Sequence, residues 1–206
     1  LEEMEKKHEI IRVKEEVSPK FEVSAVMNEF DGGPILQFDR VKGYAAKIVA
    51  GACGTRQRIC WALGIDAEKL YQSLIEAWRS PKTPKTLKEG LVKEVVEKPR
   101  LSKLPVLTHF EGDAAPYITS AIVSARSPDG EIENVSVHRL QVLNENHLAI
   151  RLVPRHLFKL WSMAKEEKED LEVAITIGTH PAVMLAACSP APFGLSEFSI
   201  ANVLLR

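Results

Sequence analysis

The side chains that could do chemistry are concentrated in one segment, GEIENVSVHRLQVLNENHLAIRLVPRHLFKLW, at residues 130–161. Asn134, Ser136 and His138 alternate with valines, so on a regular strand they share one face, while Arg139 lies with the valines on the other. An amide oxygen suits a hard metal ion, and a hydroxyl can donate a hydrogen bond to a phosphate. Arg139 would reach the same ligand only through a bulge or at the strand end.

A second polar group, Arg151, Arg155 and His156, follows in the same segment, and Pro154 predicts the start of a helix there. The free N–H groups and the positive dipole end of a helix N-terminus favour a bound phosphate, and a guanidinium and an imidazole strengthen that preference. Two interpretations stay open. The segment binds an anionic ligand, or it is a sheet with a solvated face followed by an exposed helix start.

The bulk composition limits the class of protein. The chain has 206 residues, of which 45% are hydrophobic, enough for one large domain or two small ones with a core. With 27 Lys and Arg against 28 Asp and Glu, it has no general basic field that would attract nucleic acid. Any anion site must therefore be local.

The cysteines and the apolar runs indicate in which cellular compartment the protein is expected. Cys53, Cys60 and Cys188 lack metal-site spacing, and no neighbouring base marks any of them as a nucleophile. The sequence has no signal-peptide pattern, and no apolar run approaches the roughly 20 residues of a membrane-spanning helix. We expect a cytoplasmic protein that binds neither membranes nor nucleic acid.

Residues 1–100 predict an N-terminal α/β region, because helical and strand patterns alternate there. The segment SPKTPKTLKEG, at 80–90, predicts a solvated connection. The predicted strands are 9–13, 34–41 and 45–51, and the predicted helices are 19–30, 55–63 and 66–79.

Residues 101–206 predict a second, β-rich region. Residues 117–153 contain three alternating segments separated by the turn sequences SPDG and NENH, which predicts a meander. A helix from Pro154, a buried strand LEVAITIG at 171–178 and a small-residue helix at 180–188 complete this region.

Polar residues elsewhere have ordinary structural interpretations. Arg56 and Arg58, in GTRQR, predict either an anion site or a structural ion pair, and His180 is expected to cap or pack at a helix start. The loop 109–113, with one histidine and two acids, is expected to form a turn and not a metal site. Glu197 is interpreted as a helix-surface residue.

Several stretches together resemble the UbiD family of reversible decarboxylases. They are PVLTHFEGDAAPYITSAIVSARSPDGEIENVSVHRLQV, RLVPRHL and VAITIGTHPAVMLAACSPAPFG, and the similar layout extends to GACGTRQRICWALG nearer the N-terminus. The resemblance implies an α+β fold in which the N-terminal α/β layer joins a split β-barrel like those of flavin reductases. It also implies prenylated FMN as cofactor, with a divalent metal ion, usually manganese, and often potassium.

The resemblance also implies residue roles. Asn134 and His156 match metal ligands, and Arg139 matches a catalytic arginine, which suits a substrate carboxylate because a guanidinium stays charged and binds with two N–H groups. Ser189 and Pro190 match a loop beside the cofactor, although a helix-ending turn explains Ser189 equally well. The implied cofactor-binding residues are Thr119, Ser136, Val137, His138, Arg139, Arg151, Leu152, Val153, Arg155, His156, Ser189 and Pro190.

The implied reaction is the non-oxidative, reversible decarboxylation of an unsaturated or aromatic carboxylic acid. Family members of this kind act on an anhydromevalonate phosphate of isoprenoid synthesis, on polyprenyl hydroxybenzoates or on aromatic acids. The implied partners are the small-molecule acid, a flavin prenyltransferase that supplies the cofactor, and further copies of the chain in a homo-oligomer.

The chain departs from the family in length. It stops at SEFSIANVLLR, before the region expected to carry the metal-binding Glu and the acids of the catalytic network. Three explanations are open: the chain is part of a longer polypeptide, it is a subunit whose partner brings the missing C-terminal part, or it is a cofactor-binding module without decarboxylase activity. The start at Leu1 and the break at Arg206 favour the first.

Overall fold

The computed structural model describes residues 1–205, which form two compact units. The first unit comprises residues 1–58, 97–118 and 140–149, and the second comprises residues 59–96, 119–139 and the segment from 150 onward. Each unit is therefore built from three separate stretches of chain. Among the described residues, no helix is both long enough and apolar enough to cross a membrane.

Apart from the short helix at residues 2–6, which was not predicted, the helices and strands lie where the sequence pattern predicts them, with boundaries that shift by a few residues. The predicted connection after residue 80 is confirmed as largely irregular and exposed chain. The elements are α1 Glu2–Lys6, β1 Ile10–Val17, α2 Glu22–Glu29, β2 Ile35–Val41, β3 Ile48–Ala50, α3 Arg56–Leu63, α4 Leu70–Arg79, β4 Tyr117–Arg126, β5 Glu133–Val142, β6 Leu148–Ile150, α5 His156–Glu167, β7 Val173–Thr176, α6 Pro181–Ala187 and α7 Glu197–Leu204.

The first sheet has the strand order β1-β2-β3. Strands β1 and β2 are parallel, and α2 is the crossover connection that such a pair requires. Strand β3 returns antiparallel to β2. The apolar side chains of this layer form one buried cluster, which contains Val17, Val23, Leu36, Phe38, Val41, Ala50 and Leu107.

The second sheet has the strand order β6-β5-β4-β7. The predicted meander is confirmed, since β4, β5 and β6 are neighbours in chain order and the turns at 127–130 and 144–147 connect them. Gly130 takes a φ of +77° in the first turn, which favours glycine. The described strands form an open sheet, so they do not by themselves form the expected split barrel.

Strand β7 corrects one prediction, because it is exposed along its whole length and not buried. It lies at the edge of the sheet and pairs with β4 alone, with Ala125 opposite Val173 and Ile122 opposite Thr176. Ile175 is 42% exposed although its neighbours on β4 are buried. An apolar run predicts a strand well, but it does not reveal whether another layer covers that strand.

Small side chains bring three helices of the second unit close together. Ala77 of α4, Ala182 and Ala186 of α6 and Ala201 of α7 are all buried in one cluster with Ile200. Helix axes can approach closely where the facing side chains are this small. This packing fixes α7, whose first turn points to the residues of β5 described next.

Candidate functional site

Three polar side chains form a hydrogen-bonded row along β5. Asn134 is only 3% exposed, and its Nδ2 donates to Oγ of Ser136 over 2.9 Å. Oγ of Ser136 in turn lies 2.9 Å from Nε2 of His138. The shared face predicted from the alternation is therefore confirmed. Because the amide nitrogen is used within the row, the carbonyl oxygen of Asn134 is the atom that could bind a metal ion.

Burial favours the neutral form of His138. The imidazole is half-buried, and this desolvation holds its pKa below the ordinary value of 6.5. A neutral ring has one nitrogen without a proton, so in that tautomer Nε2 can accept a hydrogen bond from the hydroxyl of Ser136. The row is thus an uncharged polar strip, which suits contacts with a flavin ring better than ion pairing.

The opposite face of β5 supplies apolar packing. Val135 is completely buried in a cluster with Ile122 and Ala187, and Val137 packs against the same cluster. Arg139 follows on this alternate set of positions and is exposed, with no side-chain hydrogen bond or ion pair to any of residues 1–205. Its guanidinium is therefore available to an external carboxylate.

The start of α5 carries the second polar group. The helix begins at His156, with Arg155 at the N-cap position, two residues later than the start predicted at Pro154. The ring of His156 packs edge-on against Phe193, with 5.4 Å between centroids. Arg151 and Arg155 are exposed, and Lys159 places its ammonium over the same phenyl ring. Cationic and aromatic groups thus gather at this helix start.

Two buried hydroxyls near these elements lack partners within the described chain. Oγ of Ser189, after α6, and Oγ1 of Thr179, before it, are both shielded from solvent without a hydrogen bond. Buried polar atoms normally find a partner, so each of these hydroxyls is able to bond to a water molecule or to a ligand. Pro190, next to Ser189, is exposed.

Glu197 is buried, which corrects its interpretation as a helix-surface residue. It is the first residue of α7, it is 4% exposed, and its Oε2 accepts a 2.7 Å hydrogen bond from the backbone N–H of Val135. Burial raises the pKa of Glu197 above its ordinary value. A buried carboxyl group thus lies against the residue that follows Asn134, and it is the functional candidate that the sequence did not reveal.

A second acid joins the same two elements. Glu133, the first residue of β5, accepts a hydrogen bond of 2.6 Å from the hydroxyl of Ser196, which precedes Glu197. Arg126 of β4 binds the other carboxylate oxygen of Glu133 through Nε and Nη2, at 3.1 and 3.0 Å. The start of α7 is therefore attached to β5 on both sides of Asn134.

The remaining polar candidates have structural roles. Arg58 is buried, donates to the carbonyl of Gly33 over 2.6 Å and lies 3.5 Å from Glu9, so the ion-pair interpretation is confirmed for it. His180 caps α6 as predicted, since its Nδ1 accepts from the N–H of Ala182. The carboxylate of Asp113 closes the predicted turn at 109–113 by accepting from two backbone N–H groups.

Two of the three cysteines, Cys60 and Cys188, lie in settings that disfavour a reactive thiolate. Cys60 is completely buried within α3. Burial raises the pKa of the Cys188 thiol, which disfavours the reactive thiolate.

All of the sequence-predicted site residues belong to the second unit. Hydrogen bonds join Asn134, Ser136 and His138, and the Phe193 ring brings His156 close to the loop that begins at Ser189. That loop leads into Ser196 and Glu197, which contact β5. Contacts with the row are not established for the other predicted residues: Thr119, which is exposed on β4, Arg139, Arg151, Leu152, Val153, Arg155 and Pro190.

The second unit thus carries an uncharged polar row on a strand, a buried carboxyl group against that strand and a basic helix start. The sequence assigns the family. Residues 85–206 match the 3-octaprenyl-4-hydroxybenzoate carboxy-lyase Rift-related domain, and residues 1–78 match the N-terminal domain of the same enzymes. The chain belongs to the UbiD family.

Curated relatives include two archaeal enzymes. The chain is 35% identical over 194 residues to the anhydromevalonate phosphate decarboxylase of Methanothermobacter thermautotrophicus, covering 94% of this chain and 45% of the relative. It is 37% identical over 198 residues to the enzyme of the same name from Methanosarcina mazei, covering 95% of this chain and 45% of the relative. The chain thus spans about half the length of these relatives.

Solved structures give the same result. An evolved dimeric form of the UbiD-class enzyme HmfF from Pelotomaculum thermopropionicum, in complex with prFMN, is 40% identical with a TM-score of 0.95, and the match covers 99% of this chain and 49% of that one. The closed form of the vanillic acid decarboxylase of Sedimentibacter hydroxybenzoicus is 26% identical with a TM-score of 0.91, covering 99% and 47%.

Proposed function

We propose that this chain forms the cofactor-binding part of a prenylated-FMN-dependent decarboxylase. The observation that carries the proposal is the row from Asn134 to His138 with the buried Glu197 against it, in a chain similar to an enzyme in complex with prFMN. The reaction is the reversible, non-oxidative decarboxylation of an unsaturated or aromatic acid.

Asn134, His156 and Glu197 would hold the metal ion that binds the cofactor phosphate. An amide oxygen, a carboxylate and an imidazole together suit manganese, which accepts oxygen ligands and nitrogen alike. This assignment adds Glu197 to the two ligands expected from the sequence. Glu197 must lose its proton to bind a cation, and the positive charge of the metal ion would offset its burial. Potassium, if bound, would share the oxygen-rich part of this site.

The prenylated flavin fits the remaining groups. The buried hydroxyl of Ser189 has no hydrogen-bond partner among the described residues, and a flavin or its phosphate could provide one. Arg151 and Arg155 are exposed cations suited to the phosphate, and Ser136 and His138 would line the ring. Val137, whose side chain packs on the opposite face of β5, would contribute through its backbone. The remaining contacts that we propose are Thr119, Leu152, Val153 and Pro190.

Arg139 would bind the substrate carboxylate. Its guanidinium has no partner among residues 1–205, and a bidentate pair with a carboxylate would orient the bond to be broken. When bound, the prenylated flavin supplies the electron sink for loss of carbon dioxide. We propose that the acid that protonates the product comes from protein beyond the half of the relatives that this chain matches.

The substrate that we favour is an anhydromevalonate phosphate. Two relatives at 35% and 37% identity are decarboxylases of this acid. The vanillic acid decarboxylase, whose name gives an aromatic acid, is less similar, at 26% identity. The alternative is a cofactor-binding subunit that has no activity unless a partner brings the missing acids.

The architecture of the complete protein is part of the proposal. We propose that the sheet β6-β5-β4-β7 belongs to a split β-barrel, and the exposed apolar edge strand β7 supports this because no layer covers it within residues 1–205. We also propose a regional division near residue 100, a cytoplasmic location and a homo-oligomer. A flavin prenyltransferase would supply the cofactor.

Production of the protein together with a flavin prenyltransferase and manganese tests the proposal. We expect bound prenylated flavin, identified by its mass after denaturation, and turnover of an anhydromevalonate phosphate by the protein that contains both halves. Flavin binding without turnover of any unsaturated or aromatic acid would favour the binding-subunit alternative. A protein without flavin would contradict both functions.

A further inference from the structure

We propose that Glu133 is a positioning residue that holds the first turn of α7 against β5, so that Glu197 and Asn134 stay at the separation a shared metal ion needs. This inference rests on the proposed function. It concerns three residues for which no role is predicted above, namely Glu133, Ser196 and Arg126.

The first observation is the unusual use of Ser196. Serine at a helix N-cap normally accepts a hydrogen bond from the backbone of its own first turn. Ser196 makes no such cap bond. Its hydroxyl donates instead to Glu133, which is 63 residues away, over 2.6 Å. The side chain therefore connects two elements and does not stabilise its own helix.

The second observation is that both oxygens of Glu133 are engaged. Oε1 accepts two hydrogen bonds from Arg126, and Oε2 accepts the bond from Ser196. A carboxylate bound on both sides has little rotational freedom. The side chain of Arg126 is 67% exposed and that of Glu133 is 23% exposed, so the bond to Ser196 is the more shielded one.

The third observation is the sequence position of these contacts. Glu133 directly precedes Asn134, and Ser196 directly precedes Glu197. The bond from Val135 to Glu197 lies on the other side of Asn134. The Ser196–Glu133 and Val135–Glu197 hydrogen bonds thus lie on either side of Asn134, one proposed metal ligand, and hold Glu197, the other, against β5. Partners that orient metal ligands in this way typically change metal affinity by about 10- to 100-fold when removed.

The test compares Ser196→Ala, Glu133→Ala and the double variant in the protein loaded with Mn²⁺. Free Mn²⁺ is measured by electron paramagnetic resonance, and hydrogen–deuterium exchange follows residues 133–137 and 196–199. We expect each single variant to raise the Kd for Mn²⁺ about tenfold, and the double variant to be no worse than the weaker binder of the two, because both substitutions remove the same bond, between Ser196 and Glu133. Glu133→Gln should largely restore affinity, since its amide oxygen can still accept from Ser196.

Leu204→Ala is the matched control, because Leu204 lies on the same helix but is buried in the cluster between α4, α6 and α7, which contains no residue of β5. It should lower the Tm and leave the Kd for Mn²⁺ unchanged. Parental affinity in both single variants would overturn the proposal, and so would an equal loss of affinity in Leu204→Ala.

Failure of the proposed function would be seen in the parent protein and not in the variants. If the parent protein binds neither Mn²⁺ nor flavin, the proposed function is wrong, and the role of Glu133 toward a metal falls with it. Faster exchange at 133–137 in Glu133→Ala would then establish a purely structural contact.

Discussion

Asn134 combines two properties that a surface asparagine lacks, namely burial and a fixed amide orientation. The bond to Ser136 holds the nitrogen, so the oxygen is presented without further reorganisation. His156 is fixed in another way, by the edge of the Phe193 ring. Side chains restrained before a metal ion binds lose less entropy when it does.

Replacement of Asn134 by alanine removes the proposed amide ligand. We expect the affinity for Mn²⁺ to fall by at least about tenfold, with loss of flavin during purification. Metal analysis and absorbance of the purified protein measure both. Asn146→Ala, in the exposed NENH turn, is the control and should retain metal and flavin. Equal metal content in the two variants would contradict the assignment of Asn134.

Replacement of Arg139 by alanine separates substrate binding from cofactor binding. Arg139 is exposed and makes no side-chain hydrogen bond or ion pair with residues 1–205, so folding and flavin content should stay unchanged. We expect kcat/KM of the complete enzyme to fall by about a hundredfold or more, which corresponds to about 2.7 kcal/mol. Arg139→Lys should recover only part of this loss, because it lacks the planar fork. Normal turnover by Arg139→Ala would eliminate the proposed role.

Glu197 gives the metal-free protein a defined pH dependence. Because burial raises its pKa above 4.5, the folded state keeps the proton at a pH where the unfolded chain has lost it. The free energy of unfolding should therefore decrease as the pH rises through the interval between the two pKa values. Urea unfolding across this interval measures the slope, and Glu197→Gln should reduce it. An unchanged slope in the variant would show that Glu197 is not the group responsible.

Residue-level roles were only partly readable from the sequence. The alternation in NVSVH predicted the shared face of Asn134, Ser136 and His138, because strand periodicity is a local property. The burial of Glu197 was missed, since a serine followed by an acid at a helix start is equally typical of a solvated cap. Only the packing of α7 on its neighbours distinguishes the two cases.

At the scale of elements, β7 shows that a local sequence pattern can predict a strand without predicting its burial, which depends on packing. Its apolar run correctly predicted a strand, whereas the predicted burial was wrong because no other element within residues 1–205 covers it. The turns after β4 and β5 were predictable because glycine and asparagine act through their own backbone preferences. Helix α5 begins at His156, two residues after the start predicted at Pro154, because Pro154 lies before the N-cap residue Arg155.

Two lysine substitutions compare the exposed edge strand β7 with the buried strand β4 beside it. In a protein limited to this chain, Ile175→Lys should change the free energy of unfolding by no more than about 0.5 kcal/mol, because the side chain is already solvated. Ile122→Lys, at a position that is 1% exposed, should prevent folding or cost several kcal/mol. Circular dichroism during urea unfolding measures both. A severe loss in Ile175→Lys would mean that β7 is covered.

At the scale of the whole molecule, the chain corresponds to about half of each relative. It contains the proposed cofactor ligands and the proposed substrate arginine, all in the second unit. The match of 99% of the chain to HmfF at a TM-score of 0.95 shows that this half has the fold of the corresponding part of a complete enzyme. The proposed function therefore depends on an acid from outside the region of the relatives that this chain matches.

The most direct test is an anomalous-difference map, recorded at the manganese absorption edge, from crystals of the protein loaded with prenylated flavin and Mn²⁺. The account predicts one strong peak about 2.0–2.6 Å from the Asn134 amide oxygen and from a carboxylate oxygen of Glu197, in contact with the flavin phosphate. A peak elsewhere, or a bound flavin whose phosphate lies away from β5, would contradict the central claim.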